Sequence, residues 1–348
     1  MRVDGHAGEG IMTAETDARP ATISRVAELA GVSRATVSRV MNGSSTVAPH
    51  LAEKVRAAAA TLNYQPSVLA RSLAVGRTAT IALVVPDLAN PMFQDVLRSL
   101  SHAAATQGHR LLVADSEENV AEEGLIALEA RRRCDGLVLC APRMTDAELA
   151  ALAPQLAPFV LVNREAPDLS VPSVNVDYAA GIRDLVSHLV GLGHRTVAYL
   201  AGPPTSSSNK LRLSTLRGYA AAGRLKLVEH ECGATFSDGH AVAGRLIDDD
   251  CTAVIAYNDL VAFGALSGLH ELGVSVPQEI SVAGFDDIPF AQYTTPPLTT
   301  ASVPPSEVGE RAWQRLWSLL NGQQPEADVR FRPRLVVRGS TGPAAGST

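Results

Sequence analysis

At 348 residues the chain is too long for one small domain and points to two or three. Its apolar fraction of 46% supports a large core, yet no uninterrupted apolar run reaches the roughly 18 residues of a membrane span. The formal charge of −6 argues against a nucleic-acid partner only as an average, because residues from Arg19 to Arg77 hold eight basic groups against two acidic ones, a local +6 that leaves −12 elsewhere.

Residues 1–20 show no periodicity and read as a disordered lead; they also lack the apolar stretch of a secretory signal, so the expected location is the cytoplasm. Behind Thr22, a residue able to cap a helix, Ile23, Val26, Ala27 and Ala30 recur at helical spacing, and Gly31 ends the segment. Ser33 caps a second helix with Val37, Val40 and Met41 on its inner face, stopped by Asn42-Gly43. A third helix starts at Pro49, with Leu51, Val55, Ala58 and Leu62 along one side. Residues 21–66 thus form a three-helix head. A short fourth helical stretch, Val68 to Val75, sits in a hinge over 67–78 and is too short to be stable alone.

From Thr80 onward, apolar runs alternate with helical segments: TIALVVPD, RLLVADS, GLVLCAP, FVLVNRE, TVAYLAG, LKLVEHE, AVIAYND and ISVAGFDD. Continuously apolar strands separated by helices imply parallel sheets covered on both faces, and this many strands imply two doubly wound lobes, with ligand at the carboxyl ends of the strands. The fold class is therefore an all-α helix-turn-helix head on an α/β body spanning 79–340. Cys134, Cys140, Cys232 and Cys251 are spaced too irregularly for a zinc site and too sparsely for a disulfide framework, and read as buried thiols.

The outer side of the second helix carries Arg34, Thr36, Ser38 and Arg39. Arginine can donate two hydrogen bonds to guanine, and hydroxyls reach phosphates or base edges, so the helix suits a major groove. The run TISRVAELAGVSRATVSRVMNGSSTVAPHLAEKVRAAAATLNYQPSVLARSLAVGRT resembles the head and hinge of the lactose/galactose repressor (LacI/GalR) family. The resemblance continues through PDLANPMF, LVGLGHRTVAYLAGPP, YNDLVAFGAL and ISVAGFDD to PPLTT, from about Thr22 to Arg338. It implies that Arg34, Ala35 and Arg39 face the bases. Thr22, Ser33, Thr36, Ser38 and Asn42 complete the head's DNA contacts, the hinge adds Leu69 and Ala70, and Leu73 wedges into the minor groove.

The same resemblance implies a body like the periplasmic sugar-binding proteins, crossed three times by the chain, near 175–178, 300–304 and 323–330. Lobe 1 would hold about 79–175 and 303–324, and lobe 2 about 178–300 and 330–340, with 341–348 a tail. Asp286 matches the carboxylate that accepts hydrogen bonds from effector hydroxyls, Asn258 an amide at another strand end, and Phe236 an aromatic that closes over the ligand. Asn90 and Phe93, in the ANPMF loop of lobe 1, and Asn163, which ends the strand FVLVN, are further candidates for binding the effector. Arg212 is the candidate guanidinium donor, with Lys210 and Arg217 as alternatives.

The implied function is a repressor. It would act as a homodimer on a double-stranded, pseudo-palindromic DNA operator, under a small-molecule effector that is a sugar or sugar derivative. Whether that effector releases or recruits the protein stays open. The C-terminal heptads that make some family members tetramers are missing. Enzyme readings find no support: GLGHRT lacks the third glycine of a dinucleotide fingerprint and precedes a strand, and there is no phosphate-binding loop, nucleophile elbow or H-E-x-x-H. No cofactor, metal or membrane partner is expected. The competing reading is a cytoplasmic binding protein without operator activity.

Overall fold

The structure, a computed structural model, describes residues 21–44, 46–64 and 76–344. Two compact units succeed one another along the chain, the first ending at Thr78 and the second beginning at Ala79.

The first unit contains α1 (Ile23–Ala30), α2 (Arg34–Met41) and α3 (Pro49–Thr61). The Thr22 hydroxyl accepts from the Arg25 amide and the Ser33 hydroxyl from the Thr36 amide, so the donors left over at both helix starts are satisfied by side chains. Gly31, at φ +62°, supplies the left-handed residue that turns α1 into α2. Val26, Val37 and Val55, each fully buried, meet at the centre of the three helices. On α3 the buried stripe is Ala52, Val55, Ala58 and Ala59, which includes the expected Val55 and Ala58, whereas the expected Leu51 and Leu62 are only half-buried. Small alanines let α3 approach α1 closely, and the leucines cover the edges.

The second unit is built on two six-stranded sheets. In lobe 1, β1 (Thr80–Val85), β2 (Arg110–Asp115), β3 (Gly136–Cys140), β4 (Phe159–Val162), β5 (Ser173–Val176) and β11 (Val329–Phe331) lie in the order β11-β5-β4-β3-β1-β2, all parallel. In lobe 2, β6 (Thr196–Ala201), β7 (Lys226–Glu231), β8 (Ala253–Ala256), β9 (Ser281–Asp286), β10 (Thr299–Ser302) and β12 (Arg334–Val336) lie in the order β12-β10-β9-β8-β6-β7, with β12 antiparallel. Covering helices are α4 (Pro91–Thr106), α5 (Val120–Arg133), α6 (Asp146–Leu156) and α11 (Pro305–Leu320) on lobe 1, and α7 (Tyr178–Gly191), α8 (Ser207–Ala221), α9 (Phe236–Asp248) and α10 (Asp259–Glu271) on lobe 2. Each strand order reverses once, between β1 and β3 and between β6 and β8, which creates the crevice where doubly wound sheets bind ligands.

The chain crosses between lobes at Asp177, at Val303–Pro304 and at Arg332–Pro333. The third crossing expected over 323–330 lies further on, because β11 pairs in parallel with β5 and keeps residues 329–331 in lobe 1. The described part of the expected 341–348 tail belongs to the body instead. Residues as far as Ala344 are bound to lobe 2: the Ser340 hydroxyl donates to the Val282 carbonyl, Gly342 accepts from His194 Nε2, and the Ala344 amide donates to the Leu192 carbonyl.

In lobe 2, α9 and α10 cross at backbone contact. A Cβ on Gly264 would lie 2.0 Å from the Phe236 carbonyl oxygen, and one on Gly239 2.0 Å from that of Val261. In lobe 1, Gly309 of α11 meets α4 in the same way, 2.0 Å from the Ser99 hydroxyl.

Candidate functional site

Two groups of residues are placed for recognition, one in each unit. On α2, Val37 and Val40 face inward, leaving Arg34, Ala35, Arg39 and Asn42 exposed on the other side. Thr36 and Ser38 are half-buried: the Thr36 hydroxyl lies 3.0 Å from that of Ser33, and the Ser38 hydroxyl accepts from Asn42 Nδ2 at 3.4 Å. The freely presented groups are thus the two guanidiniums with Ala35 between their levels. Thr22 and Ser33 act first as caps, with their amide-accepting oxygens at the helix starts. Leu69, Ala70 and Leu73 lie outside the described residues.

The body's cleft forms where the switch points of the two sheets meet. Lobe 1 contributes Asp87, Asn90, Phe93 and Glu118 and, after β3 and β4, Ala141, Arg143 and Asn163; lobe 2 contributes Tyr178, Ser208, Arg212, Tyr257, Asn258 and Asp286. Ala141, Asn163 and Asp286 all have positive φ, at +48°, +54° and +112°. Each such non-glycine residue carries roughly 1–3 kcal/mol of strain that surrounding structure has to hold, and here all three sit at strand ends lining one cleft.

Arg212 is the centre of the site. It is 2% exposed, and its guanidinium carbon lies 4.1 Å from the Phe285 ring centroid, 4.4 Å from that of Tyr178 and 4.7 Å from that of Tyr257. One Nη donates to the Ser208 hydroxyl at 3.0 Å and the other stands 3.8 Å from the Asp286 carboxylate, while Nε has no partner among the described residues. Of the alternatives, Lys210 is exposed and outside this chamber, and Arg217 is bound on the surface by Glu229. Burial pushes the Asp286 carboxyl up to about 7, against the pull of Arg212. Deeper in lobe 2, burial beside Asp286 raises Asp259 well above the usual carboxylate range even though it accepts from the Thr300 hydroxyl and the Ile288 amide.

Asn258 is fully engaged as the cap of α10: its Oδ1 accepts from the Val261 amide and its Nδ2 donates to the Ala234 carbonyl, both in the cleft wall. Asn90 caps α4 through Oδ1, with Met92 as donor. Asn163, 5% exposed, leaves its Oδ1 without a partner among the described residues. Phe93 is core that reaches the cleft. Phe236, at the start of α9, is 45% exposed and does not line the chamber.

The structure adds residues that sequence reasoning missed. Arg143 is 3% exposed, is gripped by both oxygens of Glu118 at 2.7 Å, and has its own amide held by the buried Glu123. Across the cleft it faces Tyr257, whose hydroxyl lies 3.0 Å from Ser206 and whose ring fills the space that Gly202 leaves for it. Burial alone would raise the Tyr257 phenol; the guanidiniums of Arg143 and Arg212 overcome that and lower it. The signal available beforehand was positional: Arg143 follows β3 at its carboxyl end, and Tyr257 precedes Asn258.

Residues 22–67 match the profile described as "Bacterial regulatory proteins, lacI family", and residues 186–341 that of the periplasmic binding protein-like domain. The repressor CytR of Escherichia coli K12 is 32% identical over 347 aligned positions, covering 95% of this chain and 99% of CytR. Among solved structures, a Lac repressor dimer bound to operator and the anti-inducer ONPF superposes with a TM-score of 0.83 at 30% identity, covering 93% of this chain and all of that one. A LacI family regulator from Enterococcus faecium with bound ribose gives 0.66 at 28% identity, over 76% of this chain and 99% of that one.

Proposed function

The chain belongs to the LacI family of bacterial regulatory proteins and is a helix-turn-helix transcriptional regulator with an effector-binding body, and from that premise we propose that two copies read a pseudo-palindromic operator under the control of a sugar held by Arg212 and Asp286. The observation that carries the DNA side is the exposed Arg34–Ala35–Arg39 face of a helix whose other side is locked into a core. A single head of this size reads a half-site, so two-fold pairing follows from a symmetric operator, as in the Lac repressor dimer on its operator. Leu73 serves as the hinge wedge that kinks the centre of the site.

Arg212 offers donors and Asp286 acceptors on adjacent positions, which is what neighbouring sugar hydroxyls need. Neither oppositely charged group forms a close ion pair with the other at 3.8 Å, so both keep capacity for a ligand. No described helix is long and apolar enough to cross a membrane; the protein works in the cytoplasm, beside the chromosome. Effector binding changes the angle between the lobes and so the hinges, a coupling typically of about 1–3 kcal/mol, or roughly 5- to 150-fold in operator affinity.

The test is selection of sequences from a random duplex pool by the full-length protein, followed by titration of the enriched duplex against salt. An enriched palindrome whose affinity falls steeply with salt is the expected result. Absence of enrichment at low salt would leave a sugar-binding protein with no operator.

A further inference from the structure

Of the four arginines buried among the described residues, three answer a carboxylate: Arg143 that of Glu118 and Arg164 that of Asp146, both at 2.7 Å, and Arg212 that of Asp286 at 3.8 Å. The fourth, Arg315 on α11, is 1% exposed and has no carboxylate within 4.0 Å among the described residues. Its Nη2 donates to the Ala327 carbonyl, whereas Nε and Nη1 have no partner among those residues. An arginine is almost never fully buried unless it is paired, because its guanidinium stays charged throughout the range in which proteins work. Burial lowers the pKa of Arg315 against the pull of Asp328 and Glu326, and Asp328 already accepts from the Ser173 amide. The counter-ion that Arg315 lacks is therefore one that arrives from outside the chain.

Arg315 stands in the wall of a cavity of about 220 Å3, several times the roughly 30 Å3 of one water and so large enough for a small molecule. The other walls are Gln314, Trp317 and Ser318 of α11 and Glu326 of the segment that follows it, and none of these lines the effector cleft. Trp317 is half-buried and packed against Trp313 and His109, each with its ring centroid 5.5 Å away, so it presents a fixed apolar surface. Gln314 accepts from Arg311 through Oε1, which leaves Nε2 as a donor, and the Ser318 hydroxyl donates to the Gln314 carbonyl and keeps its lone pairs. Glu326 is exposed and 4.0 Å from Arg311, too far for a hydrogen bond. One cation, one anion and one indole thus line the same space. A phosphate dianion would bring excess negative charge to Glu326, and a bare carboxylate would leave Glu326 unanswered. We propose that the cavity binds a free α-amino acid, its carboxylate on Arg315 and Gln314, its ammonium on Glu326 and Ser318, and its side chain along Trp317. The site is separate from the effector cleft and does not rest on the sugar reading.

Calorimetric titration of the full-length protein with each of the standard amino acids, and with acetate and inorganic phosphate for comparison, tests the inference. At least one amino acid is expected to bind one-to-one and more tightly than acetate or phosphate. Arg315→Leu, which removes the buried charge, weakens that amino acid roughly thirtyfold or more. Glu326→Lys, at an exposed position that tolerates substitution, weakens it about fivefold yet leaves acetate bound no more weakly, and serves should the leucine variant fail to fold. If no amino acid binds, the inference is overturned. It is equally overturned if acetate or phosphate binds as tightly as every amino acid, since the ammonium then has no part. Amino-acid binding that is unchanged by both substitutions lies elsewhere on the protein and also overturns it.

Discussion

Asp286 shows how a single carboxyl can set the conditions under which a ligand is felt. Burial lifts it to about 7, so near neutrality it exchanges between an acid, which can donate one hydrogen bond, and a carboxylate, which accepts several. A sugar that donates hydroxyls to it selects the ionised form and lowers its pKa. Affinity for the effector therefore rises with pH through about 7 and then levels, and is roughly tenfold weaker at pH 6 than at pH 8. Calorimetry across that range checks the slope, and Asp286→Asn should flatten it. At this scale the sequence was only partly legible. Asp286 and Asn258 were recognisable because GFDD and YND match the family's motifs at strand ends, but Arg212 was a candidate with Lys210 and Arg217 as open alternatives until burial separated them. Spacing along a helix tells which residues share a face, not which of several cations is enclosed. Arg143 carried no pattern at all, because a lone arginine after a strand is common and only the fold brings Glu118 and Tyr257 to it.

Elements position these groups through their crossings. α9 and α10 touch backbone to backbone at Gly239 and Gly264, and this contact sets where Asn258, at the head of α10, meets the Ala234 carbonyl ahead of α9. Gly264→Ala would drive a methyl into the Phe236 carbonyl, with an expected loss of about 2 kcal/mol of stability and a weaker effector response. Gly244 lies on α9 with open space beside it, so Gly244→Ala should leave stability unchanged or raise it by up to about 1 kcal/mol. Thermal melts of the two variants compare them directly, and equal losses in both would mean that the close crossing does not matter. The strands that could be read in advance were those with unbroken apolar runs, such as TIALVV and AVIA, because a strand buried on both faces advertises itself. β10 (TTAS), β11 and β12 do not: they are short and partly polar, and neighbouring strands rather than their own pattern make them strands. They were accessible only through family resemblance, and the third crossing was misplaced for that reason.

The body as a whole is closed by its own C-terminal segment. His194, 1% exposed, donates from Nε2 to the Gly342 carbonyl and lies 2.9 Å from the Thr252 hydroxyl through Nδ1, and His188 meets the Thr341 hydroxyl. Burial lowers the pKa of both imidazoles, so the folded protein resists protonating them where the unfolded chain does not. Stability should be level above about pH 6.5 and fall as pH drops below it, by at most about 1.4 kcal/mol per pH unit for each histidine. Denaturant midpoints between pH 5 and 8 measure this, and His194→Gln should shrink the slope; a slope unchanged by that substitution would place the acid sensitivity elsewhere. The interleaving of the lobes has one more consequence, for biosynthesis. Lobe 1 needs α11 and β11 from the far end of the chain, and lobe 2 needs β12 and the residues up to Ala344. On the ribosome, then, neither lobe can finish folding when its first strands emerge, and both must wait, with open sheet edges, for the same last stretch of polypeptide. A premature stop shortly before Val329 would not leave one sound lobe and one damaged one: it would leave two unfinished lobes attached to a head that needs nothing from either to build its own three-helix core.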